Sequence, residues 1–187
     1  MPKTELFDKK EVIQKALNLF WKKGYEGTSL SDLTEELGIG KGSFYNSFKS
    51  KRKLFDTCLS IALEGRSNGI KQLLHQESDP ILGIRKYLEM YSAGLLKDPQ
   101  SRGCLIANTT AEMAHDKGIQ SSLIENNQIM KSIILDYLAN GRLSERADVI
   151  ADSILIYMTG VAVLSKYIKD PMRFEASLEQ FIQSIEH

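Results

Sequence analysis

Long apolar runs, paired cysteines and net charge are all scarce in this chain, and each shortage narrows what the protein can be. The longest apolar stretch, Ser153 to Ser165, falls short of the roughly 20 residues that a membrane span needs, so it is expected to form a buried or interface helix rather than meet a membrane. Two cysteines, Cys58 and Cys104, build no disulfide framework and point to a reducing compartment. The N-terminal stretch MPKTELFDKKEVIQKALNLF carries charges throughout and has no apolar core, so no secretion signal is expected and a cytoplasmic location follows. The histidines His75, His115 and His187 have no metal-ligand spacing to each other or to the cysteines. No phosphate-binding G-x-x-x-x-G-K-[ST] loop, H-E-x-x-H or G-x-S-x-G is present. A side-chain cluster of His115, Asp116 and Glu112 is the weak remainder, better explained as a solvated helix end. An enzyme is therefore the poorest fit, and no cofactor or metal is expected.

The net charge of zero first argues against a nucleic-acid partner, but its distribution argues the other way. Residues 1–55 hold 11 Lys+Arg against 7 Asp+Glu, a surplus of +4, and residues 56–187 hold 13 against 17, a deficit of −4. A basic head on an acidic body is the asymmetry of a protein of which one end meets a polyanion. At 187 residues the chain fits one large domain or two small ones.

What the sequence does contain is helix. Val12, Ile13, Ala16, Leu17 and Phe20 form a one-sided stripe over Asp8 to Lys23 that stops at Gly24. Thr28 and Ser29 offer caps for a helix from Leu30 to Leu37, ended by Gly38. A third helix is expected from Lys41 to Phe48, and a fourth from the cap Ser50 toward His75. Further helices are expected from Pro80 to Leu96, from about Cys104, from Lys117 to Ala139, from Ser144 to Ile168 and from Pro171 to Ile185. Strand-type alternation is absent, so the fold class is all-α with about nine helices. Residues 1–55 are expected to form the head and residues 56–187 the body.

The stretch LGIGKGSFYNSFKSK mixes rings and lysines in a way that neither a core helix nor a loop would choose. Two short helices joined at Leu37-Gly38-Ile39-Gly40 resolve this as a helix-turn-helix. Leu33, Leu37, Ile39, Phe44 and Phe48 lock the pair, while Lys41, Gly42, Ser43, Tyr45, Asn46 and Ser47 are left facing outward. Lysine and tyrosine suit phosphate oxygens, glycine allows close backbone approach, and Asn or Ser can bond base edges.

At these residues the chain resembles the DNA-binding domain of TetR-family transcriptional repressors. The segment GYEGTSLSDLTEELGIGKGSFYNSFKSKRKLF follows that family's G-[YF]-x-x-T-[ST] entry, its G-[VI]-x-x-G-x-[LF]-Y recognition segment and its F-x-[SN]-K-x-x-L exit. The resemblance covers roughly Lys10 to Leu59. It implies phosphate contacts at Thr28, Tyr45 and Lys51, and a groove-facing set of Lys41, Gly42, Ser43, Asn46 and Ser47 on a double-stranded DNA operator. Gly40 departs from the family, which often caps this helix with serine or threonine; the lost bond costs only a few tenths of a kcal/mol.

The resemblance further implies a homodimer joined through a four-helix interface, and a small-molecule inducer bound in the body. Ala151 to Leu164 is apolar on nearly every side, which independently suggests that it faces both its own core and something else. Ile154, Met158 and Val161, with Leu178, Phe181 and Ile182 of the last helix, are the expected interface residues, and Gly160 permits close approach. Tyr87, Met90, Tyr91, Met113, Met130 and Tyr137 are candidates for a ligand pocket, beside the alternative that they are simply core. Cys104 and Asn108 join them, with Thr109 and Glu112 as possible hydrogen-bonding groups. Cys104 lies next to Arg102 near a helix start, which would favour thiolate chemistry. The primary reading is a repressor released by a small molecule. The alternatives are a redox- or electrophile-sensing regulator acting through Cys104, or a helical ligand-binding protein without specific DNA binding.

Overall fold

The computed structural model describes residues 7–186, so the first and last residues of the expected head and body lie outside it. Among the described residues there are nine α-helices, one short 3-10 turn and no strand. In chain order they are α1 Lys9–Lys23, α2 Leu30–Leu37, α3 Lys41–Phe48, α4 Lys51–Leu74, α5 Pro80–Leu96, α6 Leu105–Met113, α7 Lys117–Leu138, α8 Ala147–Leu164 and α9 Pro171–Glu186.

Local chemistry fixes most of the boundaries. Asp8 caps α1 by accepting from the Lys10 and Glu11 amides, and Asp79 caps α5 ahead of Pro80. Ser29 and Asp32 form a reciprocal capping box at the start of α2. Gly38 ends α2 at φ +65°, a left-handed conformation that costs glycine little. The expected helix from Ser144 to Ile168 is shorter: residues Ser144–Arg146 form a 3-10 turn and Leu164 is its last α-helical residue. Together these run for 21 residues, Ser144–Leu164, long and apolar enough by length and composition to cross a membrane. One side of this helix is nonetheless fixed in the protein core, through Ile150, Ile154, Leu155 and Met158.

Two principal cores result. One lies among α4, α5, α7, α8 and α9 and is filled by Ile70, Ile84, Leu88, Met130, Ile134 and Ile182. The other joins α1 to α4, around Phe20, Leu33, Phe44 and Phe55, and continues into the body through Ile106, Met113 and Ile119. Because α4 runs unbroken through the expected head–body boundary, the head sits on a rigid stalk. It is also packed directly against α6 and α7.

Candidate nucleic-acid interface

The helix-turn-helix has the two-faced construction that its sequence suggests. Phe44 and Phe48, one turn apart, are buried with Leu33 and Leu37, and the Phe44 and Phe48 rings pack at 5.7 Å. Ile39 packs against the same cluster from the turn. Lys41, Gly42, Ser43, Tyr45 and Asn46 are exposed, and Ser47 is half-buried. The Tyr45 ring leans edge-on against Phe44 at 5.7 Å while remaining 50% exposed. Its position is thus fixed by an aromatic contact, and its hydroxyl is free for an outside partner.

The start of α3 gathers several positive groups on this face. Gly40 provides no side-chain cap, and the first intrahelical bond is from the Phe44 amide to Gly40. The amides of Lys41, Gly42 and Ser43 therefore point outward beside the Lys41 ammonium, at the positive end of the helix dipole. From Gly40 to Phe55 there are four lysines and one arginine and no acidic residue.

Two of the expected phosphate contacts have internal duties. Thr28 is completely buried, and its hydroxyl donates to the Gly24 carbonyl at 2.6 Å. The Thr28 side chain is thereby corrected from a surface contact to a brace for the α1–α2 turn. Lys51 Nζ donates to the carbonyls of Tyr25 and Thr28, at 3.0 Å each, and lies 4.1 Å from the centre of the Tyr25 ring. An ammonium has three donors, so one remains for an outside acceptor.

The head is tied to the body at three places that sequence reading does not find. The Glu112 carboxylate on α6 accepts from the backbone amides of Tyr25 and Glu26, at 2.9 and 2.8 Å. Trp21 Nε1 on α1 donates to the Gly103 carbonyl at 3.0 Å. Arg52 at the start of α4 makes a bidentate pair with Asp116, the N-cap of α7, at 2.5 and 2.9 Å. The Arg52 guanidinium, reinforced by the Ile119 amide, holds the Asp116 carboxyl well below the usual carboxylate range. The stabilisation from this lowered value is present above the unfolded carboxylate range near pH 4 and disappears as pH falls through the folded value. Glu112 is therefore a clamp on the α1–α2 turn, not the ligand donor expected from its place on α6, and Asp116 is a cap and ion-pair partner, not an acid–base group.

In the body, the expected pocket residues separate. Tyr87, Met90, Tyr91 and Cys104 line one cavity of about 360 Å³ between α1, α4, α5 and the start of α6. Asn108 belongs to an adjoining cleft, where it donates to the Arg102 carbonyl and accepts from Lys166. Met113 and Met130 are core residues, and the Tyr137 hydroxyl donates to the carbonyls of Glu77 and Asp79. These three residues are outside that cavity. Arg102 is committed to Asp98 and stacks over Trp21 at 3.9 Å, so it is not a free cation serving Cys104. Burial pushes the Cys58 thiol up to about 12, as befits a packing residue.

The expected interface residues also need correction. Ile154, Met158, Val161, Leu178 and Ile182 are all at most 4% exposed within one protomer, and Phe181 stacks on Tyr157 at 4.7 Å. They form the protomer's own core. The apolar residues of α8 that do face outward are Val149, Ile156 and Val163, followed by Tyr167 just beyond its end. They recur on one side of the helix and its extension, with Ser153 and the exposed Gly160 between them.

This geometry agrees with what the chain is similar to. The family model described as "Bacterial regulatory proteins, tetR family" matches residues 12–58, which include most of α1, the helix-turn-helix and the first turns of α4. Residues 12–58 of this chain are thus similar to the DNA-binding segment of the tetR family of bacterial regulatory proteins. That similarity, with the relatives named below, supports a DNA-binding transcriptional regulator. Among curated relatives, an uncharacterized HTH-type transcriptional regulator, YezE of Bacillus subtilis, is 33% identical over 62% of this chain. That match spans 60% of the relative's length. The HTH-type transcriptional repressor ComR of Escherichia coli is 25% identical over 96% of this chain and 86% of its own. The tetR fold extends over the body as well. A cysteine mutant of the TetR family regulator CifR, solved with double-strand operator DNA, superposes with a TM-score of 0.84 at 23% identity, covering 98% of this chain and 99% of that one. A TetR regulator from Chloroflexus aurantiacus gives 0.83 at 23% identity, over 95% and 93% of the two chains.

Proposed function

We propose that this protein is a homodimeric repressor that holds an operator through two copies of α3 and is released by a small molecule bound in the body. The observation that carries the DNA part of this reading is the exposed face of α3. Lys41 and three free amides would suit phosphate, and Asn46 and Ser43 base edges, on a helix whose opposite side is locked by Phe44 and Phe48. Tyr45 and the remaining Lys51 donor would add phosphate contacts, and Ser47 would lie at the margin. The named relatives support the direction of regulation: ComR is described as a repressor, and IcaR of Staphylococcus aureus, 21% identical over 92% of this chain, as a negative regulator of a biofilm operon.

The dimer reading rests on the outward stripe of Val149, Ile156, Val163 and Tyr167. Their exposure of 49–73% leaves an apolar surface that a second copy of α8 and α9 would cover. Such a pairing would set two recognition helices to half-sites about 34–36 Å apart or a multiple of that distance. Residues 1–55 would act as the head and 56–187 as the inducer-binding and dimerising body, in the cytoplasm. Ligand binding would act by preferring a state in which α6, through Glu112, and the turn before it, through Gly103, carry the head away from its operator-bound position.

Two substitutions separate the proposed roles. Tyr45→Ala is expected to weaken binding about tenfold on every DNA sequence and to reduce the steepness of the salt dependence. Asn46→Ala is expected to relax base preference at one position by roughly 1–3 kcal/mol while changing non-specific binding little. Both are read by titrating each variant against a library of single-base operator variants at low and moderate salt. Unchanged base preference in Asn46→Ala would remove that residue from the reading face, and an unchanged salt slope in Tyr45→Ala would remove its phosphate contact.

A further inference from the structure

The cavity between α1 and the body is lined by one cationic side chain. Its walls are mostly apolar, with Leu17 and Trp21 from α1, Tyr87 and Tyr91 from α5 and Ile106 from α6. Arg66 of α4 also lines it, and the Arg66 Nε atom is buried with no hydrogen-bond partner. Among the described residues Arg66 makes no ion pair, whereas Arg102 of the adjoining cleft is paired with Asp98. No acidic residue lines the cavity. A guanidinium donor held away from water without an acceptor is costly, and the cost falls when an anion supplies one.

A second feature of the same cavity favours negative charge. The N-terminus of α6 opens there: Cys104 occupies the cap position without a side-chain cap bond, and Leu105 and Ile106 are lining residues. The first intrahelical bond of α6 is from the Asn108 amide to Cys104, so the Leu105, Ile106 and Ala107 amides have no partner within the helix. They add the positive end of the helix dipole to the Arg66 charge. The remaining surface is hydrocarbon and aromatic ring.

We propose that this cavity binds an apolar monocarboxylic acid, its carboxylate on Arg66 and the α6 N-terminus and its hydrocarbon body among Trp21, Tyr87, Met90 and Tyr91. A single guanidinium matches a single negative charge, and a volume of about 360 Å³ suits a small ligand, not a large drug or a nucleotide cofactor. The proposal rests on the ligand-responsive reading above and names the chemical class of its inducer. It also provides the route of action. The ligand would sit against Trp21, whose Nε1 bonds Gly103, and against the first turn of α6, the helix that holds the head through Glu112.

The chain has one tryptophan, and it lines this cavity, so its fluorescence reports the site directly. Full-length protein is titrated with hexanoate and octanoate and with the uncharged alcohols of the same chain lengths. The measurement is repeated on Arg66→Gln and Arg66→Lys, and operator affinity is measured with and without octanoate. The expected result is a saturable change in Trp21 emission with the acids at concentrations at least tenfold lower than with the alcohols. Arg66→Gln should remove that tenfold preference, and Arg66→Lys should keep most of it. Equal response to acid and alcohol in the unaltered protein, or no saturable response to either acid, overturns the proposal without reliance on any variant. A saturable acid response that leaves operator affinity unchanged upholds the site but overturns the ligand-responsive reading.

Discussion

Replacing Ile156 and Val163 together with glutamate is expected to produce a folded monomer whose operator affinity has fallen at least ~100-fold. Both side chains already face outward, at 73% and 49% exposure, so the protomer loses little by the change; surface substitutions of this kind usually stay within about 0.5 kcal/mol. In the proposed dimer the same positions would bury four unpaired carboxylates, which the interface cannot tolerate. Losing the partner removes the second half-site contact, and with it the ~100-fold or larger gain that two linked contacts provide over one. Sedimentation gives the oligomeric state, a thermal melt gives the fold, and a titration on the operator gives the affinity. A variant that remains dimeric and binds as tightly as the parent would place the interface elsewhere. Ile154→Glu is the instructive contrast. That side chain is 1% exposed, and the substitution should unfold the protomer and not merely separate two of them.

Glu112→Ala is the second change with a large expected effect. The carboxylate accepts from the Tyr25 and Glu26 amides, and its loss leaves the α1–α2 turn without the only contact that α6 makes to those two donors among the described hydrogen bonds. Bonds to a charged acceptor are worth roughly 1.5–3 kcal/mol each, with incomplete additivity for two that share one group. A loss of about 2–3 kcal/mol in the stability of the head is therefore expected, seen as faster amide exchange at Tyr25 and Glu26. The same variant should bind operator within a few-fold of the parent but respond less to the inducer, because α6 no longer holds the turn. Glu112→Gln, which keeps one acceptor oxygen, should fall between the two. Unchanged exchange at both amides together with an unchanged inducer response would show that the clamp carries no coupling. Gly24 is part of the same device. It adopts φ +76°, and a β-carbon there would lie 2.8 Å from the Glu112 carboxylate oxygens, so the turn and its clamp are built for a residue without a side chain.

The head was legible in the sequence because its constraints are local. The Ser29–Asp32 capping box, the Gly38 turn and the one-turn spacing of Phe44 and Phe48 each act within a few residues, and together they leave one register for α2 and α3. Even there, local reasoning could not see that Thr28 turns inward to Gly24, or that Lys51 spends two donors on the turn 23 and 26 residues earlier. The body was less legible for a definite reason. Helix α8 is apolar on nearly every side, so periodicity does not say which side the protomer keeps. Its packing against α7 and its neighbours decides that Ile154 and Met158 point inward and Ile156 outward. The pocket was half legible: Tyr87, Met90, Tyr91 and Cys104 stand out as aromatic and sulfur-bearing groups. Arg66 does not, because in sequence it is one more basic residue on a long amphipathic helix. Only the placement of its Nε in a cavity without an acceptor distinguishes it. Glu112 had no readable signal, since its partners lie 86 and 87 residues away.

The exposed face of α3 is proposed to read a specific DNA sequence. The most direct test of that reading is a titration of the purified protein against its own upstream DNA and a scrambled fragment of equal length, at two salt concentrations. Tighter binding to the native fragment is expected at both salts, with affinity for each fragment falling steeply as salt rises. Equal, weak binding to both fragments would contradict it.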